Sequence, residues 1–446
     1  MFGSTNMLIL KVTRDCNLRC KYCYIKDKDN FKDEMISFDM YKTIIEKIIT
    51  DKKSVPQGNF DFTIIFHGGE PLLMGRENFS RFLSYASRRF KEEGIRCGYG
   101  IQTNLTLINE DIMALMHQYN VTVGVSFDGI KESNSSRTAI DTDKFESQFK
   151  KMDEFGVNYG FLIVVNKANI ENVMDSIDYV FEKYKIGKVK VNYAEDVNSE
   201  GDESEVTGEQ FITKAWIPIL DSFLSGKYKH IVENNLEEII TRYFATLMTG
   251  KATVETMKSN CGLKVCGGGM HIIEINPDGD VYFCGRYSED FEEVFVQNVK
   301  DKEFLELKQI SRYFSSVKTR HGLVSALDCD ICEADNICDH GCMAFHYSKY
   351  GEFGIRDNLV CNIFKPLNKY IITHEKEIFE RLYETNKNKD GIWYWNLKID
   401  MRNASGQFMN KMKSMGYNIQ LDSNFKTDGH SPVPQLQISR ENSNDI

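Results

Sequence analysis

Nowhere does this 446-residue chain hold an apolar run of the ~20 residues that a bilayer-crossing helix needs, so no membrane span is expected. A basic excess is missing too. The net charge is −10, which argues against a general nucleic-acid binder, since that needs a basic footprint. One local basic groove would still suffice for a single acidic partner. Residues 1–12 lack a basic segment followed by a long apolar stretch, so no secretory signal is read there and a cytoplasmic location is expected. A repeat of solenoid length is absent. Hydrophobic residues, by contrast, are not scarce. They make up 41% of the chain and recur as short Leu, Ile, Val and Phe runs, which excludes bulk disorder. The length suits a large domain with a buried core plus a smaller one.

What the sequence does hold is cysteine, 12 of them. In a reducing compartment they are poor candidates for structural disulfides, and tight spacings there point to metal or redox chemistry.

The first part of the chain alternates two periodicities. Residues 8–12, 62–66, 98–102, 122–126, 160–165 and 189–193 are β-branched or aromatic runs of strand length. Residues 39–50, 78–93, 110–117, 143–155 and 169–185 have helical spacing between them. Repeated strand–helix units imply an α/β fold with a parallel sheet and right-handed crossovers; six such units suit a partial barrel better than a closed eight-unit one. At 196–205 the sequence reads DVNSEGDESE, an acidic exposed loop. The expected organisation is therefore a barrel over 1–205, a helical connector over 206–258, a cysteine-rich domain over 259–366, and a helix (367–386) with a polar, partly disordered tail over 367–446.

Directly after the first strand comes DCNLRCKYCY, which sets Cys16, Cys20 and Cys23 in a C-x3-C-x2-C pattern. Three thiolates can hold three irons of a 4Fe–4S cluster and leave the fourth open for chemistry, at the strand end where barrels place their active sites. A zinc ion borrowing a fourth ligand is the alternative. After the second strand stands HGGEP (67–71). Its glycines would let a ligand approach the backbone, and Glu70 offers a carboxylate to a cationic amine; a plain turn is the bland reading. Gln102–Asn104 ends the third strand and SFDG (126–129) the fourth, with Arg137 a few residues on.

These residues together resemble the radical S-adenosylmethionine (SAM) superfamily. The resemblance implies that the open iron binds the amino and carboxylate groups of SAM, and that one electron cleaves SAM to a 5′-deoxyadenosyl radical. It further implies that Tyr22 lies near the adenine, that Gly68, Gly69, Glu70 and Pro71 contact the amino group, and that Gln102 and Asn104 belong to the site. Ser126 and Asp128 would bond ribose hydroxyls and Arg137 would help hold SAM. The family's His-Asp pair before that arginine is replaced here by Ser133 and Asn134.

Eight further cysteines follow: Cys261, Cys266, Cys284, Cys329, Cys332, Cys338, Cys342 and Cys361, with Gly279 completing a G-x4-C element before Cys284. They suffice for two fully ligated 4Fe–4S clusters, and structural zincs are the alternative. The pattern resembles the SPASM domain. Carried over, that resemblance gives Cys261, Cys266, Cys284 and Cys342 to a nearer auxiliary cluster and Cys329, Cys332, Cys338 and Cys361 to a farther one. Only Cys97 is left, as a small core residue.

Enzymes of that type mostly modify peptides or proteins. The resemblance thus implies a maturase that forms a thioether or other cross-link in a ribosomal precursor peptide, fed by a flavodoxin- or ferredoxin-type reductant. No leader-recognition domain precedes Cys16, so leader binding would fall to a separate protein or to the region after Pro366. There Trp393, Tyr394 and Trp395 form either a docking strip or a tail packed on the body. The alternative is an anaerobic sulfatase-maturing enzyme. In that family an aspartate thought to act as the base follows the G-x4-C cysteine, where this chain has Gly285 and then Arg286. A non-catalytic electron-transfer protein is the alternative of another class.

Overall fold

The structure, a computed structural model, describes residues 5–25, 28–54, 61–137, 142–184, 186–194, 205–249, 268–269, 272–286, 295–301, 328–329, 331–351, 355–395, 406–422 and 435–440. The chain divides into two compact units. One comprises Met1–Val206, Cys266–Leu327 and Gly341–Ile355; the other comprises Thr207–Val265, Asp328–His340 and Arg356–Ile446.

In the first unit the six β-rich runs become strands β1 (Met7–Thr13), β2 (Asp61–Gly68), β3 (Arg96–Thr103), β4 (Thr122–Ser126), β5 (Tyr159–Val165) and β6 (Val189–Tyr193). They alternate with helices α1 (Phe38–Ser54), α2 (Gly75–Glu92), α3 (Glu110–Gln118), α4 (Thr142–Phe155) and α5 (Val173–Lys183). All six strands pair in parallel, in the order β6-β5-β4-β3-β2-β1. This is the α/β architecture expected from the two periodicities. The sheet then continues past β1. Strand β7 (Ile272–Ile275) runs parallel to β1, and β8 (Asp280–Tyr282) and β9 (Phe295–Asn298) add antiparallel. Pairing with β7 keeps the β1 edge from being an open row of backbone donors and acceptors.

Alternation along each strand decides what faces where. Leu8, Leu10, Phe66, Ile101, Val123, Val125, Phe161 and Val191 are all at most 3% exposed. On this face the helices supply aromatic partners. Phe66 meets Phe79 of α2 at 5.5 Å between ring centroids, and Phe127 meets Phe145 of α4 at 5.4 Å. The other face carries Lys11, His67, Gln102, Ser126, Val164, Asn192 and Glu274, brought side by side by the registers Lys11↔His67, Ile9↔Glu274 and Val164↔Asn192. A bulge between Lys11 and Thr13 shifts the β1–β2 register just before the first cysteine.

The second unit is helical with a small sheet. A helical stretch from Gly208 to Leu224 winds as a π-helix at Ile212–Trp216. Asn234–Thr249, Asn358–Thr373, Glu375–Asn386 and Gly406–Ser414 are α-helices. Two expectations are corrected here. The helix placed after Pro366 begins at Asn358 and runs through the proline. Its N-cap Asp357 accepts from Leu359 N–H at 2.8 Å, and a stripe of Val360, Ile363, Phe364, Leu367 and Ile371 is buried along it. Capping plus the apolar stripe outweigh one lost backbone bond. The tail is not merely polar coil. Strands β10 (Trp393–Trp395), β11 (Tyr417–Asp422) and β12 (Gln435–Arg440) form an antiparallel sheet in the order β10-β12-β11. The tryptophans thus lie in a strand whose ladder partner is β12 of the same chain, with Trp393 buried and Trp395 6.0 Å from Phe244. The acidic stretch at 195–204 lies outside the described residues.

Candidate active site

A cavity opens on the polar face of the first unit's sheet, at the C-terminal ends of β1 to β6. Cys16, Cys20, Tyr22, Cys23, Gly68, Gly69, Gln102, Asn104, Ser126 and Arg137 all line it, joined by Tyr24, His67, Asn192 and Arg286. The sequence-derived site residues thus converge, apart from Glu70, Pro71 and Asp128, which stand behind the wall.

The cysteine loop is fixed by its own backbone. Gly69 N–H donates to Thr13 O and Glu70 N–H to Asp15 O, both at 2.9 Å. A β-carbon at Gly69 would lie 1.9 Å from Asp15 O, and one at Gly68, where φ is +134°, 2.0 Å from Thr13 O. The two glycines therefore admit the close passage of the chain's own backbone at residues 13–15. Cys16 is 7% exposed, and its sulfur accepts from Leu18 N–H at 3.4 Å and from Asn104 Nδ2 at 3.8 Å. Asn104 thus meets the Cys16 sulfur directly.

Glu70 does not turn to the cavity. Its carboxylate accepts from Thr103 Oγ1 (2.7 Å), Asn104 N–H (2.7 Å) and Leu72 N–H (3.0 Å), and ties the end of β3 to the glycine turn. Burial pushes its carboxyl up, against the pull of those backbone donors. Tyr22, Asp128 and Arg137 form one linked group: Tyr22 Oη donates to Asp128 Oδ2 at 2.6 Å and accepts from Arg137 Nη1 at 2.8 Å. Asp128 Oδ1 accepts from Val164 N–H at 2.9 Å, so its carboxylate is committed to the protein. Asn134, standing where the family pair is missing, closes the turn: its Oδ1 accepts from Asp128 N–H at 3.1 Å and its Nδ2 donates to Gly129 O at 2.8 Å. Gln102 Nε2 donates to Ser126 Oγ at 2.8 Å across Gly124, where a β-carbon would sit 2.2 Å from Gln102 Oε1.

Sequence reasoning missed a second polar group. Lys11 and Glu274, each nearly fully buried, pair at 2.8 Å on adjacent strands β1 and β7. Their signal was present: each is a lone charge inside an apolar strand run, LILKV and IIEI. Burial and Glu274 keep the Tyr24 hydroxyl protonated, while Arg286 opposes them. Gly68 N–H donates to His67 Nδ1 at 2.8 Å, so the neutral ring carries its proton on Nε2. Burial, then Lys11, lowers His67 from its ordinary 6.5 to about 4. Below pH 6.5 the unfolded chain binds this proton and the folded one does not, so stability is lost as pH falls from 6.5 towards 4. The loss amounts to up to ~3 kcal/mol, less for the ring's cavity-facing part. Urea unfolding across that window is expected to show a shallower pH slope for His67→Asn.

The remaining cysteines separate. Cys329, Cys332, Cys338 and Cys361 all fall in the second unit. Burial raises the thiols of Cys329 and Cys338, with Cys361 a further cause for both. Cys338 Sγ accepts from His340 N–H at 3.3 Å. Four neighbouring soft thiols fit an iron–sulfur cluster or zinc, although among the described residues no three His, Cys, Asp or Glu side chains close round one metal ion. Cys284 and Cys342 lie in the first unit, with Cys342 at the N-cap of helix Met343–Tyr350. Cys261 and Cys266 lie outside the described residues. Burial pushes the Cys97 thiol up to about 12.

Residues 10–180, which span strands β1 to β5 and the cysteine loop, match the radical SAM superfamily. This chain is a radical SAM enzyme. It is 29% identical over 381 residues to a cysteine-type anaerobic sulfatase-maturating enzyme of Clostridium novyi, covering 81% of this chain and 94% of that protein. Its fold is similar to that of anSMEcpe with bound AdoMet and Kp18Cys peptide: TM-score 0.66, 20% identity, 85% of this chain and 99% of the other. It is also similar in fold to Streptococcus suis SuiB bound to precursor peptide SuiA: TM-score 0.54, 15% identity, 80% and 76%. The radical SAM domain is followed by a SPASM-like extension. Its cofactors include SAM and the family's iron–sulfur cluster, which removes the zinc reading of the first cysteine motif and the non-catalytic electron-transfer reading of the chain. The thiols of Cys16, Cys20 and Cys23 at one cavity suit that cluster. No helix among the described residues is long and apolar enough to cross a membrane.

Proposed function

We propose that this radical SAM enzyme matures a ribosomally made precursor peptide by forming a thioether or other side-chain cross-link. Cys16, Cys20 and Cys23 would hold the cluster whose open iron binds SAM, and that pair, once reduced by one electron, would supply the radical chemistry needed to take a hydrogen atom from an unactivated carbon. The protein's part is positioning. The linked Tyr22, Asp128 and Arg137 give the cofactor end of the cavity a rigid wall, while Tyr24, His67, Asn192 and Arg286 face the space left for a peptide. In this reading the segment 259–366 carries two auxiliary clusters, on Cys261, Cys266, Cys284 and Cys342 and on Cys329, Cys332, Cys338 and Cys361. Such clusters would supply an acceptor for the electron released as the cross-link forms. A flavodoxin- or ferredoxin-type protein supplies the first electron, and a separate protein or the region after Pro366 holds the leader.

The observation that carries the reading is Gly285. With glycine after Cys284 the chain has no carboxylate base at that position, and a β-carbon there would lie 2.4 Å from Glu274 Oε2, so any side chain would have to displace the Glu274 carboxylate. The second reading, formylglycine formation in a sulfatase, is favoured by the Clostridium novyi relative, and Glu274 itself offers that reading a nearby carboxylate. Product mass separates the two. Co-expression with a short cysteine-bearing peptide encoded beside the enzyme is expected to yield a peptide lighter by two hydrogens and resistant to thiol alkylation. Conversion of a sulfatase cysteine to formylglycine, with exchange of sulfur for oxygen and loss of two hydrogens, and an unchanged peptide, would replace the first reading by the second.

A further inference from the structure

A buried arginine stands beside Cys338, one of the four thiols of the second unit. Arg242, on helix Asn234–Thr249, is 4% exposed, and its Nη1 donates to Ile337 O at 2.9 Å. Ile337 directly precedes Cys338, whose N–H is bonded to Ala334 O at 2.8 Å and whose sulfur receives the His340 N–H. A guanidinium is not deprotonated in proteins, so the helix delivers a permanent positive charge to the backbone turn that presents Cys338. Burying a cation is costly unless negative charge lies close by. Asp339, Cys338 and Glu238 are the negative groups that favour the charged form of Arg242, against its burial.

We infer that Arg242 sets the reduction potential of an iron–sulfur cluster held by Cys329, Cys332, Cys338 and Cys361. The inference rests on the auxiliary-cluster reading proposed above. Four thiolates on a cubane give a net charge of about −2, which becomes about −3 on taking up one electron. A fixed cation nearby stabilises the more negative, reduced state, so it raises the potential. Low surrounding dielectric makes this stronger than the same charge in water. Arg356 makes the internal contrast. It lies beside Cys361, Cys329 and Cys332 but is exposed, so solvent and salt screen its effect.

The test is a redox titration followed by electron paramagnetic resonance. It uses the full-length protein, reconstituted anaerobically, with Cys16, Cys20 and Cys23 replaced by alanine so that only auxiliary clusters report. Arg242→Gln is expected to lower the reduced-to-oxidised ratio of one cluster about tenfold at fixed potential, equivalent to about 59 mV for one electron. Arg242→Lys is expected to keep most of the original ratio, and Asp339→Asn to shift it the other way. Arg356→Gln is expected to shift it less, and to lose that shift in high salt. A loaded Arg242→Gln protein with an unchanged titration overturns the inference while leaving the cluster reading intact. If Arg242→Gln does not take up iron, the Asp339→Asn titration decides, and no upward shift there overturns it. Zinc in place of iron, or iron content unaffected by Cys329→Ala with Cys338→Ala, overturns the cluster reading and the inference with it.

Discussion

Replacing Cys16, Cys20 and Cys23 together by alanine is expected to abolish SAM cleavage while the protein still folds. The three thiols line one cavity, and only Cys16 among them is buried. Little packing is therefore lost with the sulfurs, and cavity costs stay small. The chemistry is another matter. Without the three thiolates no open iron is held where Tyr22, Asn104 and Arg137 converge. If all three clusters are cubane, iron content is expected to fall from about 12 to about 8 per chain. The triple variant should then keep its far-ultraviolet circular dichroism and its auxiliary-cluster absorption and release no 5′-deoxyadenosine. A variant that still cleaves SAM would remove these cysteines from the reaction.

Gly69→Ala is expected to be strongly destabilising. Its β-carbon would meet Asp15 O at 1.9 Å, Asp15 C at 2.4 Å and Arg14 O at 2.7 Å. All three are backbone atoms, so no side-chain rotation relieves the clash. The segment leading into Cys16 must move, and with it the Gly69–Thr13 and Glu70–Asp15 hydrogen bonds are lost. A destabilisation of about 3 kcal/mol or more follows from overpacking of this kind. The companion Gly160→Ala, in strand β5, meets nothing within 4 Å and is expected to be neutral. Thermal unfolding of both variants, with iron content after reconstitution, checks the contrast. Equal melting temperatures for the two would mean that the glycine turn does not hold the cysteine loop.

The barrel was legible because its signals are local. Each strand is a short run of β-branched and aromatic residues, and each helix shows its own stripe, so β1 to β6 and α1 to α5 fall close to where the two periodicities put them. The cysteine motif and the strand-end residues were legible for the same reason. Partners distant in sequence were not. Lys11 and Glu274 are separated by most of the first unit, and nothing local says that β7 pairs with β1. Strand β10 meets β12 only across more than forty residues, so the tail read as polar coil. Glu70 and Asp128 were read as SAM contacts, but their carboxylates bind the protein's own donors, a choice that depends on Thr103, Asn104 and Val164. Pro366 misled because a proline is a local stop signal, whereas the helix around it is held by burial of a stripe on both sides.

The central claim is that the cavity over β1 to β6 holds SAM against a cluster on Cys16, Cys20 and Cys23 and generates a radical from it. Anaerobic incubation of the reconstituted wild-type protein with SAM and dithionite, followed by chromatography of the small molecules, tests it most directly. The expected result is 5′-deoxyadenosine and methionine in equal amounts, absent from the triple-alanine variant. A folded, iron-loaded wild-type protein that yields no 5′-deoxyadenosine would contradict the account.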